Sequence, residues 1–162
     1  MKKITSVALL VLFSVMCTAP SFGETGLGYE TLVILPHAFT LSSWDKNSGI
    51  GVKASADFGA SALSLATTIG SIAGTLGLAG LTDVNFYTFS VFKDLQQSEN
   101  FRNYIKLGIF TLQGKLAGVT KSGSLPIAGI GMEWQKLWGT SLAFNADLTY
   151  PEILTLGFKT YF

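Results

Sequence analysis

The C-terminal half of the sequence alternates apolar and polar residues with a strict period of two. In the stretch 140–150, Phe144 and Leu148 fall on one face of an extended chain, and Asn145 and Asp147 fall on the other. A period of two is the geometry of a β-strand, whose successive side chains point to opposite faces. This stretch is therefore predicted to be a strand with one apolar and one polar face.

The same alternation recurs along the chain in segments of about ten residues that are separated by turn-forming stretches, the pattern of a membrane β-barrel. The polar faces of these segments carry Lys53, Lys106, Glu133 and Lys159. The segment 83–93 also has strand character, but aromatic and apolar residues occupy both of its faces, so its orientation is left open.

The length of the chain limits the number of strands. Sixteen membrane strands would require about 176 residues, whereas eight require about 88. We predict an all-β, closed, antiparallel up-and-down transmembrane barrel of eight strands. Pro36 falls within the first predicted strand, where it cannot donate a ladder hydrogen bond, so we expect a bulge there or a strand that starts only after it. The predicted strands are 30–41, 49–58, 61–71, 83–93, 102–113, 125–135, 140–149 and 153–162.

The interval 58–82 carries no charged residue and permits two interpretations. Alternation of Leu63, Leu65 and Ile69 with small residues favours a strand over 61–71, followed by a glycine-rich loop. The alternative is a helix of small residues that packs inside or over the mouth of the barrel, with Gly70 and Gly74 at a close-packing spacing.

The first 23 residues have the layout of a secretory signal peptide. Lys2 and Lys3 precede an apolar run, and a small-x-small sequence ends at Gly23. The run is too short to span a bilayer, which takes about 20 residues. We expect residues 1–23 to be cleaved, Cys17 with them, and residues 24–162 to form the barrel domain. Removing 23 residues from 162 leaves 139 without a cysteine, so no disulfide can stabilise the mature chain.

Composition excludes one class of partner. Only 13% of residues are charged, and the formal net charge is +1, whereas an ordinary soluble domain carries about 25% charged residues. No cluster of Lys and Arg is present to face phosphates, so nucleic acid is not expected as a partner.

The chain ends on an aromatic residue, Phe162, with Gly157 five positions earlier and Phe158 at an alternating apolar position. This ending resembles the C-terminal assembly signal of bacterial outer-membrane β-barrel proteins, although Thr160 stands where an aromatic is usual. The resemblance implies an outer-membrane location and the barrel assembly machinery as a partner. Lipid and lipopolysaccharide would then contact the outer face.

Four aromatic residues are predicted to lie near one membrane interface. Counting back from a periplasmic C-terminus places Phe101, Trp134, Trp138 and Phe162 at similar heights, where aromatic girdles belong. The alternative is that they are ordinary core aromatics of a soluble sandwich.

The polar faces predict a charge cluster in the lumen. A turn centred on Trp138 places Glu133 opposite Ala143, and a turn centred on Pro151 places Ala143 opposite Lys159. With Lys106 at the same level, we expect a cluster of Lys106, Glu133 and Lys159 that closes the barrel, while Asp147 is assigned no partner in it. The alternative is that the long side chains extend to separate water pockets near the barrel ends.

Catalytic chemistry finds little support. His37 is the single histidine, and no serine follows it at the spacing that an outer-membrane lipid deacylase uses. Without mature cysteines or a second histidine, neither a metal site nor a cofactor is expected.

We therefore predict a non-enzymatic structural or interaction barrel with a side-chain-filled lumen, surface loops and no large pore. The alternatives are a soluble periplasmic barrel that binds an apolar ligand and an outer-membrane lipid-modifying enzyme that uses His37.

Overall fold

The computed structural model of the protein describes residues 24–32, 35–57, 82–150 and 153–162. The predicted signal peptide 1–23 and the predicted strand 61–71 lie outside the described residues. The structure therefore does not decide between the two interpretations of the interval 58–82.

Eight strands form a closed barrel in which each pairs with its neighbour in the chain and the last pairs with the first. Every neighbouring pair is antiparallel. The predicted closed, eight-stranded up-and-down barrel is confirmed. The strands are β1 (Glu24–Leu32), β2 (Leu35–Asp45), β3 (Ile50–Asp57), β4 (Thr82–Gln97), β5 (Phe101–Leu116), β6 (Val119–Trp134), β7 (Leu142–Tyr150) and β8 (Ile153–Tyr161).

The two ends of the barrel are named here by what they carry. The terminal end holds the start of β1, the end of β8 and the turns β2–β3, β4–β5 and β6–β7. The loop end holds the other four connections, of which the longest spans residues 58–81. Closure between β1 and β8 places Gly26 opposite Tyr161 and leaves no free edge in this part of the sheet.

The predicted first strand, 30–41, is wrong. The chain reverses between β1 and β2, so that Tyr29 lies opposite Phe39. Pro36 lies at the start of β2, next to an irregularity in the register at Thr31 and Leu32. Two strands in residues 24–45 thus complete the eight, and β3 pairs directly with β4.

Strands β4, β5 and β6 have 16 residues each, longer than predicted. The stretch 114–124, predicted to be a turn, continues the β5–β6 ladder as far as Leu116 and Val119. Only Ala117 and Gly118 form the turn, and both have positive φ. Apolar alternation fades there because polar residues occupy both faces, which explains why the sequence pattern ended the strands early.

The register of the β6–β7 hairpin also differs from the prediction. Ala143 lies opposite Lys159 as expected, but Glu133 lies opposite Asn145 rather than Ala143. The connection contains a short 3-10 turn, Leu137–Gly139, flanked by the left-handed residue Lys136. This turn moves the centre of the hairpin from Trp138 to Gly139, which shifts the pairing by two residues.

The barrel has its polarity inverted relative to a soluble protein. Leu107 and Ile130 on the outer face are 64% and 53% exposed, whereas Glu133 and Asp147 in the lumen are 0% exposed. The orientation of β4 is also resolved, with Phe86 and Phe92 buried and Phe89 exposed.

Among the residues that the structure describes, no helix has the length and apolar character needed to cross a membrane.

Candidate functional site

The lumen near the terminal end contains a group of polar side chains around Glu133, called here the Glu133 cluster: Glu133, Arg102, Lys159, Tyr161 and Gln135. Arg102 donates from Nε to Glu133 Oε1 at 3.0 Å and from Nη2 to Oε2 at 3.1 Å. Lys159 Nζ lies 2.6 Å from Oε2. The planar guanidinium matches the carboxylate with two parallel hydrogen bonds, a geometry that fixes both side chains.

Two uncharged side chains also donate hydrogen bonds to the Glu133 carboxylate. Tyr161 donates its hydroxyl to Oε1 at 2.6 Å, and Gln135 Nε2 donates to the same oxygen at 2.9 Å. The Tyr161 hydroxyl in turn accepts from Arg102 Nη2 at 2.9 Å. The carboxylate is fully buried, and these donors replace the water that it loses.

A second group, the Asp147 cluster, lies nearer the middle of the lumen and contains Asp147, Lys53, Lys106, Tyr104 and Glu30. Asp147 Oδ2 accepts from Lys53 at 2.8 Å and from Lys106 at 2.7 Å. Tyr104 donates to Oδ1 at 2.6 Å. Lys53 also forms an ion pair with Glu30, so that the two lysines are balanced by two carboxylates.

An aromatic cage holds Arg102 and joins the two clusters. The Arg102 guanidinium lies over the rings of Trp44, Phe92 and Tyr104, at 4.0, 4.8 and 5.3 Å from their centroids. Tyr104 thus contacts Arg102 with its ring and Asp147 with its hydroxyl. Cation–π contacts of this kind are stronger where water is excluded.

Gly131 makes room for this arrangement. A Cβ at this position would lie 2.3 Å from the Tyr104 ring and 2.4 Å from Asp147 Oδ1. Because Gly131 on β6 has no side chain, Tyr104 on β5 can reach over it to Asp147 on β7.

The structure brings together two of the three residues of the predicted charge cluster. Glu133 and Lys159 are in direct contact, whereas Lys106 pairs with Asp147. Arg102, which sequence reasoning passed over, takes the place predicted for Lys106 at Glu133. Its position two residues before Tyr104 on a polar strand face was a signal that could have found it. Asp147 also lies on a predicted polar face, but its partner Lys53 is 94 residues away in sequence.

The predicted girdle residues lie at the terminal end. Phe101 lies opposite Trp134, with ring centroids 5.5 Å apart. Contacts between tilted rings continue along the outer face from Trp134 to Phe144 and from Phe144 to Phe158, with centroids 5.7 and 5.2 Å apart. Trp138, in the β6–β7 turn, is exposed.

Of the three residues in the predicted assembly signal, Phe158 is exposed on the outer face of β8. Gly157 is buried, where a Cβ would lie 2.4 Å from Glu30 Cγ. Phe162 is exposed beyond the end of β8, and its backbone N–H donates to Thr25 O at 3.0 Å across the closing seam.

A cavity occupies the lumen between the Asp147 cluster and the loop end. Its empty space, counted out to the solvent at its mouth, is about 530 Å³. Lys53, Lys106 and Glu30 line its floor. Its described walls carry the hydroxyl groups of Ser55, Thr88, Ser90, Thr149 and Thr155 and the apolar groups of Ala38, Phe86, Phe110 and Ile127.

His37 lies in β2 with its backbone opposite Thr31, and its side chain is outside the described part of the structure. Within residues 24–32, 35–57, 82–150 and 153–162, no three His, Cys, Asp or Glu residues are grouped so that they could hold a metal ion.

At the terminal end, an exposed ion pair joins two turns. Lys136 Nζ, before the 3-10 turn, donates to Glu99 Oε1 in the β4–β5 turn at 2.8 Å. This hydrogen bond and the charge of the lysine hold the pKa of the Glu99 carboxyl below its usual value.

The sequence matches no family model, and no curated protein matches it. Solved structures with a similar fold do exist. The N-terminal β-barrel domain of Pseudomonas aeruginosa OprF aligns with a TM-score of 0.52 at 9% identity, covering 86% of this chain and 96% of that domain. A structure from the de novo design of transmembrane β-barrels aligns with a TM-score of 0.51 at 10% identity, covering 87% of this chain and 95% of the design. The chain therefore shares its barrel fold with these two proteins.

Proposed function

We propose that this protein is an outer-membrane β-barrel with a structural or interaction role. The inverted polarity of the barrel supports the proposal above all: Leu107, Ile130 and Leu148 are exposed, while Arg102 and Asp147 are buried. In water such an outer face would favour aggregation, whereas in a bilayer it is the required surface. Closure satisfies the backbone of these strands where water is absent.

The proposed orientation places the terminal end in the periplasm and the loop end outside the cell. The loop end carries the longest connection, residues 58–81, and the extracellular loops of outer-membrane barrels are longer than their periplasmic turns. The contacting rings of Phe101, Trp134 and Phe144 would mark the periplasmic interface of the outer membrane. Lipid and lipopolysaccharide would contact the outer face, and surface partners would meet the loop end.

In this proposal the two charged clusters close the lumen. Arg102, Glu133 and Lys159 fill the terminal half with paired charges, and the lumen of an eight-stranded barrel is just wide enough for side chains to fill it. We therefore expect a barrel without a large pore and without enzymatic activity.

Residues 1–23 would be the export signal and Phe162 part of the signal read by the barrel assembly machinery. A mature N-terminus at Glu24, measured by mass spectrometry of the purified protein, is the expected result.

Fractionation combined with gel mobility tests the membrane location. We expect the full chain, expressed in a Gram-negative bacterium, to sediment with the outer membrane and to migrate differently before and after boiling, because a folded barrel remains compact in detergent. Recovery from the aqueous periplasmic fraction would favour the soluble ligand-binding alternative and overturn the proposal.

A matched pair of variants tests the assembly signal. Phe162 and Trp138 are both exposed aromatics at the terminal end, but only Phe162 belongs to the signal. Phe162→Ser should lower the amount of folded protein in the outer membrane, and Trp138→Ser should lower it less. Equal effects would contradict the role proposed for Phe162.

A further inference from the structure

The part of β6 nearest the loop end is paired on one side only. β5 pairs with the whole of β6, from Val119 to Trp134. β7 pairs with β6 only as far as Ala128, which lies opposite Tyr150 at the end of β7. β8 starts three residues later and runs back beside β7. Among the described strands, only β5 therefore lies beside residues 119–127.

The backbone groups on the unpaired side follow from the register. Along an antiparallel strand, successive residues direct their N–H and C=O groups alternately to the two sides. Gln135, directly after β6, donates its N–H to Asn100 O on the β5 side at 2.8 Å, and the β5–β6 register contains no shift. Odd-numbered residues of β6 thus pair with β5, whereas Thr120, Ser122 and Ser124 present their N–H and C=O groups to the unpaired side.

Pro126 ends this unpaired run. It occupies the next even-numbered position, where a residue without an N–H costs the β5–β6 ladder no hydrogen bond. Residues 119–125 are called here the open edge of β6. Exposed edges are commonly blocked by charges, prolines or bulges, but the open edge contains one charge, Lys121, no proline and no register shift. It is therefore a template for another strand.

The open edge lies above the apolar part of the barrel. On the outer face, the pair of Ile109 and Pro126 is followed towards the loop end by Thr111 and Ser124, whose hydroxyl groups lie 3.0 Å apart. In the proposed orientation, on which this inference rests, the open edge is outside the lipid and accessible from outside the cell.

Lys121 indicates the charge of the partner. Every other lysine in the described ranges has an ion pair or a hydrogen bond. Lys121 is exposed and has neither with any described residue. A strand added antiparallel to β6 can place a carboxylate directly opposite Lys121, and such cross-strand pairs of opposite charge are stabilising.

We propose that the open edge binds an extended segment of a partner protein, which adds as a strand antiparallel to β6. Main-chain hydrogen bonds with the three even-numbered residues supply affinity, and side chains supply specificity. The segment carries an acidic residue opposite Lys121 and apolar residues opposite Val119 and Leu125, alternating with hydroxyl-bearing residues.

The probe is the capped peptide Val-Thr-Phe-Thr-Glu-Thr-Val, whose glutamate lies opposite Lys121 and whose phenylalanine covers Gly123. It is titrated into the isotope-labelled barrel in lipid nanodiscs, and binding is read from the amide chemical shifts of Ser122 and Ser124. N-methylation of its three threonines removes the N–H groups that face β6 and should weaken binding at least about tenfold. N-methylation of the phenylalanine, the glutamate and the last valine changes groups that face away and should alter the affinity by less than about twofold.

Two substitutions at one position test the same hydrogen bonds from the side of the barrel. Ser122→Pro removes an N–H from the open edge and spares the β5–β6 ladder, as Pro126 does, whereas Ser122→Ala removes only the hydroxyl. We expect Ser122→Pro to weaken peptide binding at least about tenfold and Ser122→Ala to leave it unchanged. If Ser122→Pro does not fold, the N-methylated peptides make the same test on the unchanged barrel.

Charge reversal tests the pairing with Lys121. A second peptide has lysine in place of the glutamate. The barrel should bind the glutamate peptide at least about threefold more tightly, and Lys121→Glu should reverse this preference, because opposite charges attract and like charges repel across a strand pair.

The proposal is overturned if the peptide does not saturate the shifts of the open edge, if the two N-methylated peptides bind equally, or if Lys121→Glu leaves the preference unchanged. A dimer in detergent that Ser122→Pro dissociates and Ser122→Ala does not would assign the edge to a second copy of the chain and also overturn it. A fluorescent form of the peptide tests the proposed function separately. Binding in nanodiscs without binding to intact cells would support the open edge and contradict the proposed orientation.

Discussion

Lys159 on β8 reaches Glu133 on β6 across the strand that separates them, with Nζ 2.6 Å from Oε2. Ala143 on β7, opposite Lys159, is buried and has a side chain too short to obstruct the lysine. Arg102 adds β5 to the same carboxylate. The buried Glu133 side chain thus links β6 to both β8 and β5.

Glu133→Gln should destabilise the barrel strongly, because Lys159 would lose its paired carboxylate and Arg102 would keep only Asp94, at 3.7 Å. Removing one partner of a buried ion pair costs about 3–5 kcal/mol. The free energy of unfolding in urea, measured in lipid vesicles, provides the test. Asp147→Asn should have a comparable effect, since Asp147 is equally buried and pairs with Lys53 and Lys106.

Glu99→Gln is the matched control for these two substitutions. It makes the same chemical change in an exposed ion pair with Lys136, and exposed pairs contribute little to stability. If Glu133→Gln were as mild as Glu99→Gln, the lumen clusters would not stabilise the fold.

Leu107→Arg should prevent assembly of the barrel in the membrane. Leu107 lies mid-strand on the outer face and is exposed, and an arginine at the bilayer midplane costs about 2–4 kcal/mol. Gln113→Arg, six residues further along the same face of β5, should be tolerated because that position lies near the loop end. The measurement is the fraction of heat-modifiable protein in the outer membrane, and equal fractions would show that the lipid face is wrongly placed.

Gly131→Ala should destabilise the fold by about 1–3 kcal/mol, the usual cost of overpacking. The added methyl group would meet the Tyr104 ring and Asp147 Oδ1 at 2.3 and 2.4 Å. Urea unfolding measures the effect. Gly118→Asn serves as the control, because a side chain at Gly118 meets nothing within 4 Å and asparagine tolerates its positive φ. Unchanged stability of Gly131→Ala would contradict the position of Tyr104.

Lys136→Met should raise the pKa of Glu99, because the hydrogen bond from Lys136 is the main cause of its lowered value. A carboxyl whose pKa is lower in the folded state stabilises the fold above the pKa of the unfolded state, and this contribution is lost as the pH falls through the folded-state pKa. Carbon-detected NMR titration of the Glu99 carboxyl measures the shift. Lys121→Met, which removes another exposed lysine, should leave the titration of Glu99 unchanged.

The sequence carried enough information to predict the barrel, because each strand from β5 to β8 has an apolar face and a polar face over most of its length. The first two strands were merged because β1 offers Gly26 and Gly28 as inward positions, which give no polar signal for a face. The ends of β4, β5 and β6 were missed for a related reason. The residues that extend these strands beyond the predicted bounds are mostly polar on both faces. Backbone pairing, and not apolar periodicity, defines the strands there.

Part of the candidate site was also within reach of the sequence. Glu133 and Lys159 lie on strands joined by short turns, so their proximity follows from counting residues. The partners of Asp147 do not, since Lys53 comes from the opposite side of the closed sheet. Only closure of the barrel brings the two together, and which side chains then face each other across the lumen cannot be read from local patterns.

The 16-residue strands of the β5–β6 hairpin set a fixed height for its tip. At about 3.4 Å per residue and a tilt near 40°, a strand of this length covers about 40 Å along the membrane normal, against about 25 Å for the apolar band. In the proposed orientation, Ala117 and Gly118 would stand clear of the lipid on a hydrogen-bonded ladder. An epitope inserted between them would be held above the membrane by the hydrogen-bonded β5–β6 hairpin and would be accessible to antibodies on intact cells.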